Sequence, residues 1–221
     1  MSVMRKTRCV VLISGRGTNL SAILRAAAAA PDYPAEIVAV ISNKADATGL
    51  LLAQEAGIPT EVVPSQGVSD REIYDQALQA AIDRFQPELV ILAGFMRILT
   101  PGFVAHYVGR MINIHPSLLP SFTGMHTHQR AIDAGVHVHG CTVHFVTAEL
   151  DHGPMIAQAA VPVYAADDAA KLAARVLKEE HRIYPEAIRW FAEGRLKVVG
   201  QRVLLADEPA VANTLIVPKL G

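Results

Sequence analysis

Asn113 and His115 are two residues apart in the stretch MINIHPSLLPSF, where a short apolar run reads as a buried strand breaking into a Pro-rich loop. Side chains two apart on a strand point to one face, so an amide and an imidazole are presented together. The C-terminal end of a strand in an open α/β sheet is where such folds place their ligands. Asp151 follows in a turn-rich loop, ahead of Gly153 and Pro154. A carboxylate close to an imidazole raises its pKa and fixes its orientation, and an amide beside it can donate to a developing oxyanion. The set holds no Ser or Cys nucleophile, which points to direct acyl transfer to an amine or to water. A plainer reading fits the same residues: two hydrogen-bonding groups at a strand end and a turn cap, since spacing alone does not bring Asp151 to His115.

A second candidate is SGRGTNL, residues 14–20, which joins the first strand to the first helix. Glycines at 15 and 17 allow a sharp turn whose N–H groups, with the helix N-terminus, suit a phosphate. Leu20 stands where the dinucleotide fingerprint needs a small residue, and no Lys follows as in the Walker pattern. The loop therefore favours a small phosphate over NAD or ATP, beside the plain alternative of a tight turn. Eight of the nine histidines fall between His106 and His152. His126 with His128 and His137 with His139 have strand-like spacing, but no HExxH or Cys-containing ligand pattern accompanies them, so no metal site is expected.

These groups need a scaffold. CVVLIS, AEIVAVISN, TEVVP, ELVILAG and RMINIH read as strands alternating with helical segments. SDREIYDQALQAAIDRF is amphipathic, with Ser69 and Glu72 expected as its capping box. In TPGFVAHY, Thr100 is the expected N-cap with Pro101 at the first helical position. Strand–helix alternation with fully apolar strands argues for a mostly parallel, Rossmann-like α/β sheet with helices on both faces. After His115 the pattern changes to a mixed half. GCTVHFVT and MIAQAAVPV read as strands, followed by a long helix from Asp167 to about Glu193, interrupted at Pro185, and a hairpin in RLKVVGQRVLL. No repeat or linker breaks the chain, so a single domain over 1–221 is expected, with a phosphate-binding half over about 8–110 and a catalytic half over about 111–200.

Composition narrows the function. Of 221 residues 51% are hydrophobic and 19% charged, and the net charge of −1 comes without a basic stripe, which argues against a nucleic-acid partner. No window approaches a membrane span or a signal peptide. Two distant cysteines, Cys9 and Cys141, suit a reducing cytoplasm.

VVLISGRGTNLSAIL, ISNKADATGL, LAGFMRILTPGFV, NIHPSLLPSFTGMHTHQRAIDAG, VHFVTAELDHGPMIAQAAVPV and EEHRIYPEAI together resemble the phosphoribosylglycinamide formyltransferase family of purine synthesis, over about residues 8–198. The resemblance implies a formyltransferase-type fold and transfer of the formyl group of 10-formyltetrahydrofolate, a cosubstrate, to the amine of glycinamide ribonucleotide. It implies that His115 is the general acid/base, that Asn113 stabilises the tetrahedral oxyanion, and that Asp151 keeps His115 protonatable and oriented. Gly17, Thr18 and Asn19 would hold the phosphate and Glu180 the sugar. Arg71 and the backbone of Met96, Arg97, Ile98 and Leu99 would hold the folate, with Thr147 in the closing loop 147–151 and His144 behind the catalytic cluster. Partners would be small molecules only, and the chain a monomer or homodimer. Two features depart from the family pattern. His152 stands where Gly is more usual, which would stiffen the loop or add a titrating group near Asp151, and Phe122 and Thr123 replace an aromatic–Pro pair.

Four rival readings remain. A formyltetrahydrofolate deformylase would use water as acceptor but normally carries an N-terminal regulatory domain, whereas the first strand here begins at Cys9. A methionyl-tRNA formyltransferase needs a C-terminal RNA-binding domain, and only about 25 residues follow the last long helix. A non-catalytic phosphate-binding module leaves Asn113, His115 and Asp151 unexplained, and a metal-dependent hydrolase lacks a ligand pattern.

Overall fold

The run Thr7–Ile13 (β1) is apolar on both faces, and Cys9 to Ile13 are wholly buried, as a central strand of a doubly covered sheet must be. The computed structural model describes residues 5–208, 215 and 217. Around β1 the chain lays down α1 (Thr18–Ala29), β2 (Ala35–Ser42), α2 (Gly49–Glu55), β3 (Thr60–Val62), α3 (Arg71–Asp83), β4 (Leu89–Leu92), α4 (Pro101–His106) and β5 (Met111–His115). These five strands are parallel, in the order β3-β2-β1-β4-β5. The chain continues with α5 (Thr127–Asp133), β6 (Val138–Phe145), β7 (Met155–Pro162), α6 (Ala169–Ala192), β8 (Leu196–Val199) and β9 (Arg202–Leu205). β6 runs antiparallel to β5 and β7 antiparallel to β6, and the hairpin β8–β9 joins the same sheet through Met155 and Arg202. This is the mostly parallel sheet with a mixed C-terminal half that the alternation of elements predicts.

Two cores flank the sheet. Side chains of α1, α2, α5 and α6 pack on Ile112, Ile114, Cys141, Val143 and Phe145. On the opposite face α3 and α4 cover Val10, Leu12, Val90, Leu92 and Met111. Strand periodicity then puts Asn113 and His115 on the face of Met111, beyond the end of the α3–α4 cover. No helix among the described residues is long and apolar enough to cross a membrane.

Several local expectations are corrected. The cap of α3 is Asp70, not Ser69: its carboxylate accepts the N–H groups of Glu72 at 2.8 Å and Ile73 at 3.3 Å, placing a negative charge at the helix N-terminus. Thr100 caps α4 as expected, with Pro101 following. α6 begins after Asp168 rather than at Asp167, which instead pairs with Arg175 at 2.7 Å. Nor does α6 break at Pro185. A Pro there removes one helical hydrogen bond, but fully buried Tyr184, Ala187 and Ile188 hold the turn, and the Pro185 carbonyl accepts the Tyr33 hydroxyl at 2.6 Å. α5 carries no favourable cap, since His126 precedes it at φ 57° without a side-chain bond, and the sequence offers no start signal for it. α1 begins at Thr18, so Thr18 and Asn19 lie in its first turn.

Candidate active site

β4 ends at Leu92, opposite Asn113, so β5 runs two residues past its parallel neighbour and carries His115 into the loop region. Across the antiparallel pair, Asn113 faces His144 and His115 faces Thr142. The buried His144 ring is fixed at both ends. Its Nδ1 lies 2.9 Å from the Phe145 carbonyl, which can only accept, so Nδ1 bears the proton and Nε2 is free to accept the Asn113 amide N–H at 3.3 Å. Burial pushes the His144 imidazole below its usual pKa, opposed by the Phe145 carbonyl and Asp151, in keeping with a neutral ring.

His115 is 6% exposed. Its Nε2 donates to the Phe122 carbonyl at 3.0 Å, and its Nδ1 is 3.5 Å from Asp151 Oδ2, so a second proton on the ring completes an ion pair. Asp151, at φ 56°, is buried, and its Oδ2 also accepts the Gly124 N–H at 2.8 Å. Its Oδ1 is 4.0 Å from His144 Nε2. The structure therefore brings Asn113, His115, His144 and Asp151 together. Sequence spacing does not show that the turn 122–124 joins the two halves, with the Phe122 carbonyl on His115 and the Gly124 N–H on Asp151. The only signal for it was the Phe-Thr-Gly departure noted above.

The loop after β1 turns sharply into α1. Gly17 precedes α1 at φ 70°, and a Cβ there would sit 2.7 Å from the Gly49 Cα, so only glycine fits. Asn19 is 8% exposed; its amide donates to Glu180 Oε2 at 2.8 Å, while its Oδ1 is buried with no partner among the described residues. Burial pushes the Glu180 carboxyl above the usual carboxylate range, partly offset by the Asn19 amide. Gly17, Thr18, Asn19 and Glu180 thus gather on the α1–α6 side of the sheet.

The other predicted group gathers on the α3–α4 side. Arg71, Ile98 and Leu99 line one open cleft of about 630 Å³ with Thr100, Pro101 and Ala148. Met96 and Ile98 are exposed, and the Arg97 guanidinium stacks 4.2 Å over the Tyr74 ring. The Met96 N–H is already taken by Ser14, so the N–H groups free to meet a ligand there are those of residues 97–99. Thr147 folds back on its own loop, its hydroxyl donating to the Glu149 carbonyl at 3.1 Å. His152 is exposed and turned toward Glu149 and the Leu150 carbonyl, not toward Asp151. Among the described residues no group of three or more His, Cys, Asp or Glu side chains could hold a metal ion. Burial pushes the thiols of Cys9 and Cys141 up to about 12, which leaves neither as a thiolate nucleophile.

Comparison with known proteins identifies the family. The formyl transferase family profile matches residues 7–188. Phosphoribosylglycinamide formyltransferase of Escherichia coli is 53% identical over 189 residues, covering 86% of this chain and 89% of that one. The Haemophilus influenzae protein of the same name is 44% identical over 214 residues, covering 97% of each. The solved phosphoribosylglycinamide formyltransferase of Coxiella burnetii superposes with a TM-score of 0.86 at 49% identity, covering 94% of this chain and 97% of that one. Similarity of this extent, over nearly the whole length of these three proteins, shows that the chain belongs to the phosphoribosylglycinamide formyltransferase family.

Proposed function

We propose that the protein transfers the formyl group of 10-formyltetrahydrofolate to the amine of glycinamide ribonucleotide in purine biosynthesis. The observation that carries the reading is the His115–Asp151 pair at 3.5 Å beside Asn113, at the C-terminal end of β5. In the proposed reaction the amine attacks the formyl carbon directly, giving an alkoxide and an ammonium in one step. The Asn113 amide, held by neutral His144, has a second N–H for the alkoxide. His115 carries the proton between nitrogen and leaving group, and Asp151 steadies the charged ring. Gly17, Thr18 and Asn19 take the ribonucleotide phosphate, Glu180 its sugar, and Arg71 with residues 96–99 the folate, over which the loop bearing Thr147 closes.

The proposal extends to a cytoplasmic enzyme acting on small molecules as a single-domain monomer or homodimer. Two buried thiols, free of any disulfide, support a reducing compartment. A spectrophotometric assay with a 10-formyl folate analogue, with and without glycinamide ribonucleotide, tests the reaction. Turnover that requires the ribonucleotide is expected. Equal turnover without it would make water the acceptor and the protein a deformylase.

A further inference from the structure

The backbone segment 96–100, on which the proposed folate subsite depends, is fastened at both ends by buried side chains that touch no proposed substrate position. At one end Ser14, 6% exposed, accepts the Met96 N–H on its Oγ at 2.8 Å and donates to Asn43 Oδ1 at 2.5 Å. Asn43, 4% exposed, is held in turn, its amide donating to Ser65 Oγ at 3.0 Å. At the other end Asp75, 3% exposed on α3, accepts the Thr100 N–H on Oδ2 at 2.6 Å. Between these anchors the N–H groups of Arg97, Ile98 and Leu99 have no hydrogen-bond partner among the described residues.

Unpaired peptide groups tend to close into turns of their own or to bond to water. Two anchors four residues apart oppose that closure and keep the intervening groups unpaired. A buried carboxylate is costly unless hydrogen-bonded, and Asp75 meets that need on the loop backbone. Ser14 also occupies the last position before the Gly15-Arg16-Gly17 turn, and its own N–H donates to the Gly94 carbonyl at 3.1 Å. One residue thus ties the exit of β1 to the exit of β4.

We infer that Ser14 and Asp75 are positioning residues for the folate, holding residues 97–99 in the conformation that meets the flat heterocycle. The inference rests on the folate reading above. Its energetic basis is preorganisation: a segment already ordered loses less freedom on binding.

Steady-state kinetics of Ser14→Ala and Asp75→Ala test it. Each should raise KM for the formyl folate about tenfold, and Asp75→Ala should hold kcat and the KM for the ribonucleotide within about threefold. Ser14→Thr and Asp75→Asn keep an acceptor oxygen and should restore the folate KM. The double alanine variant should lose less than the product of the single effects, because both side chains hold one segment. Should Ser14→Ala not fold, Asn43→Ala, which leaves the Ser14 hydroxyl unheld, carries the test at that end. Folate KM unchanged in folded alanine variants would overturn the inference. So would a fall of every kinetic constant in step with Tm, without rescue by the conservative variants. If the wild-type protein shows no ribonucleotide-dependent transfer, the functional reading fails instead, and fluorescence titration of a folate analogue against the same variants still tests the anchors.

Discussion

The amide of Asn113 is directed by a histidine that never needs to change charge. His144 is neutral and locked in one tautomer, so the Asn113 NH2 group is oriented before substrate arrives. Replacing Asn113 with Ala should lower kcat by two to three powers of ten, as for loss of one oxyanion donor, and His115→Ala by two to four. Circular dichroism and Tm should stay near wild type, because both groups sit at a strand end and neither side chain belongs to the apolar core clusters. Near wild-type kcat in either variant would sink the assigned roles. The residue-level pattern was legible where periodicity governs it: Asn113 and His115 share a face because strands alternate. The approach of Asp151 was not legible, because a loop has no period. Nor was the contribution of the Phe122 carbonyl and the Gly124 N–H, since every residue type supplies a carbonyl and all but Pro an N–H.

At the scale of elements, the loop from β6 to β7 is held against the site by close backbone packing. A Cβ on Gly153 would fall 1.7 Å from the Phe145 carbonyl oxygen, the same atom that accepts the His144 proton. Gly153→Ala should therefore displace the Asp151 loop and the His144 ring together. The expected result is a kcat reduced at least tenfold, a larger fraction of the barrier than one lost surface contact could supply, with a Tm lowered by several degrees. Activity measured beside thermal unfolding checks both. The strands and the longer helices were legible, because buried parallel strands are continuous apolar runs and α3 has a strong 3.6-residue pattern. Helix ends were less so. Asp70 and Ser69 are both competent caps, and the choice was made by which one reaches two N–H groups. Pro185 reads as a break in sequence, but the buried residues around it keep α6 continuous. α5 lacks any capping signal and forms because Thr127 and Ala131 are buried, a tertiary cause.

For the whole molecule, acid should be destabilising through a buried histidine. His139 is 1% exposed, and burial, helped by His128, pushes its pKa down to about 4. Above about pH 6.5 the folded and unfolded chains both hold this ring neutral. Between about 6.5 and 4 the unfolded chain binds a proton that the folded chain refuses, so stability falls with pH. Below about 4 both are charged and this contribution stops changing. The loss is on the order of 1–3 kcal/mol. Urea unfolding at several pH values should show it, and His139→Leu should flatten the slope over that window; an identical slope would exclude His139 as its source. The placement of the two proposed subsites on opposite faces follows from strand order, which the sequence did not reveal beyond the alternation of elements. The Tyr184 hydroxyl adds a mechanical consequence. One turn beyond Glu180 on α6, it reaches the carbonyls of Leu92 at 2.9 Å and Ile112 at 3.2 Å, bolting the helix to the two strands β4 and β5. The turn that carries Glu180 and the strand that carries Asn113 are thus fastened as one body. Any opening that admits substrates must come from the peripheral loops, while the distance between acceptor and reacting carbon is set by the frame.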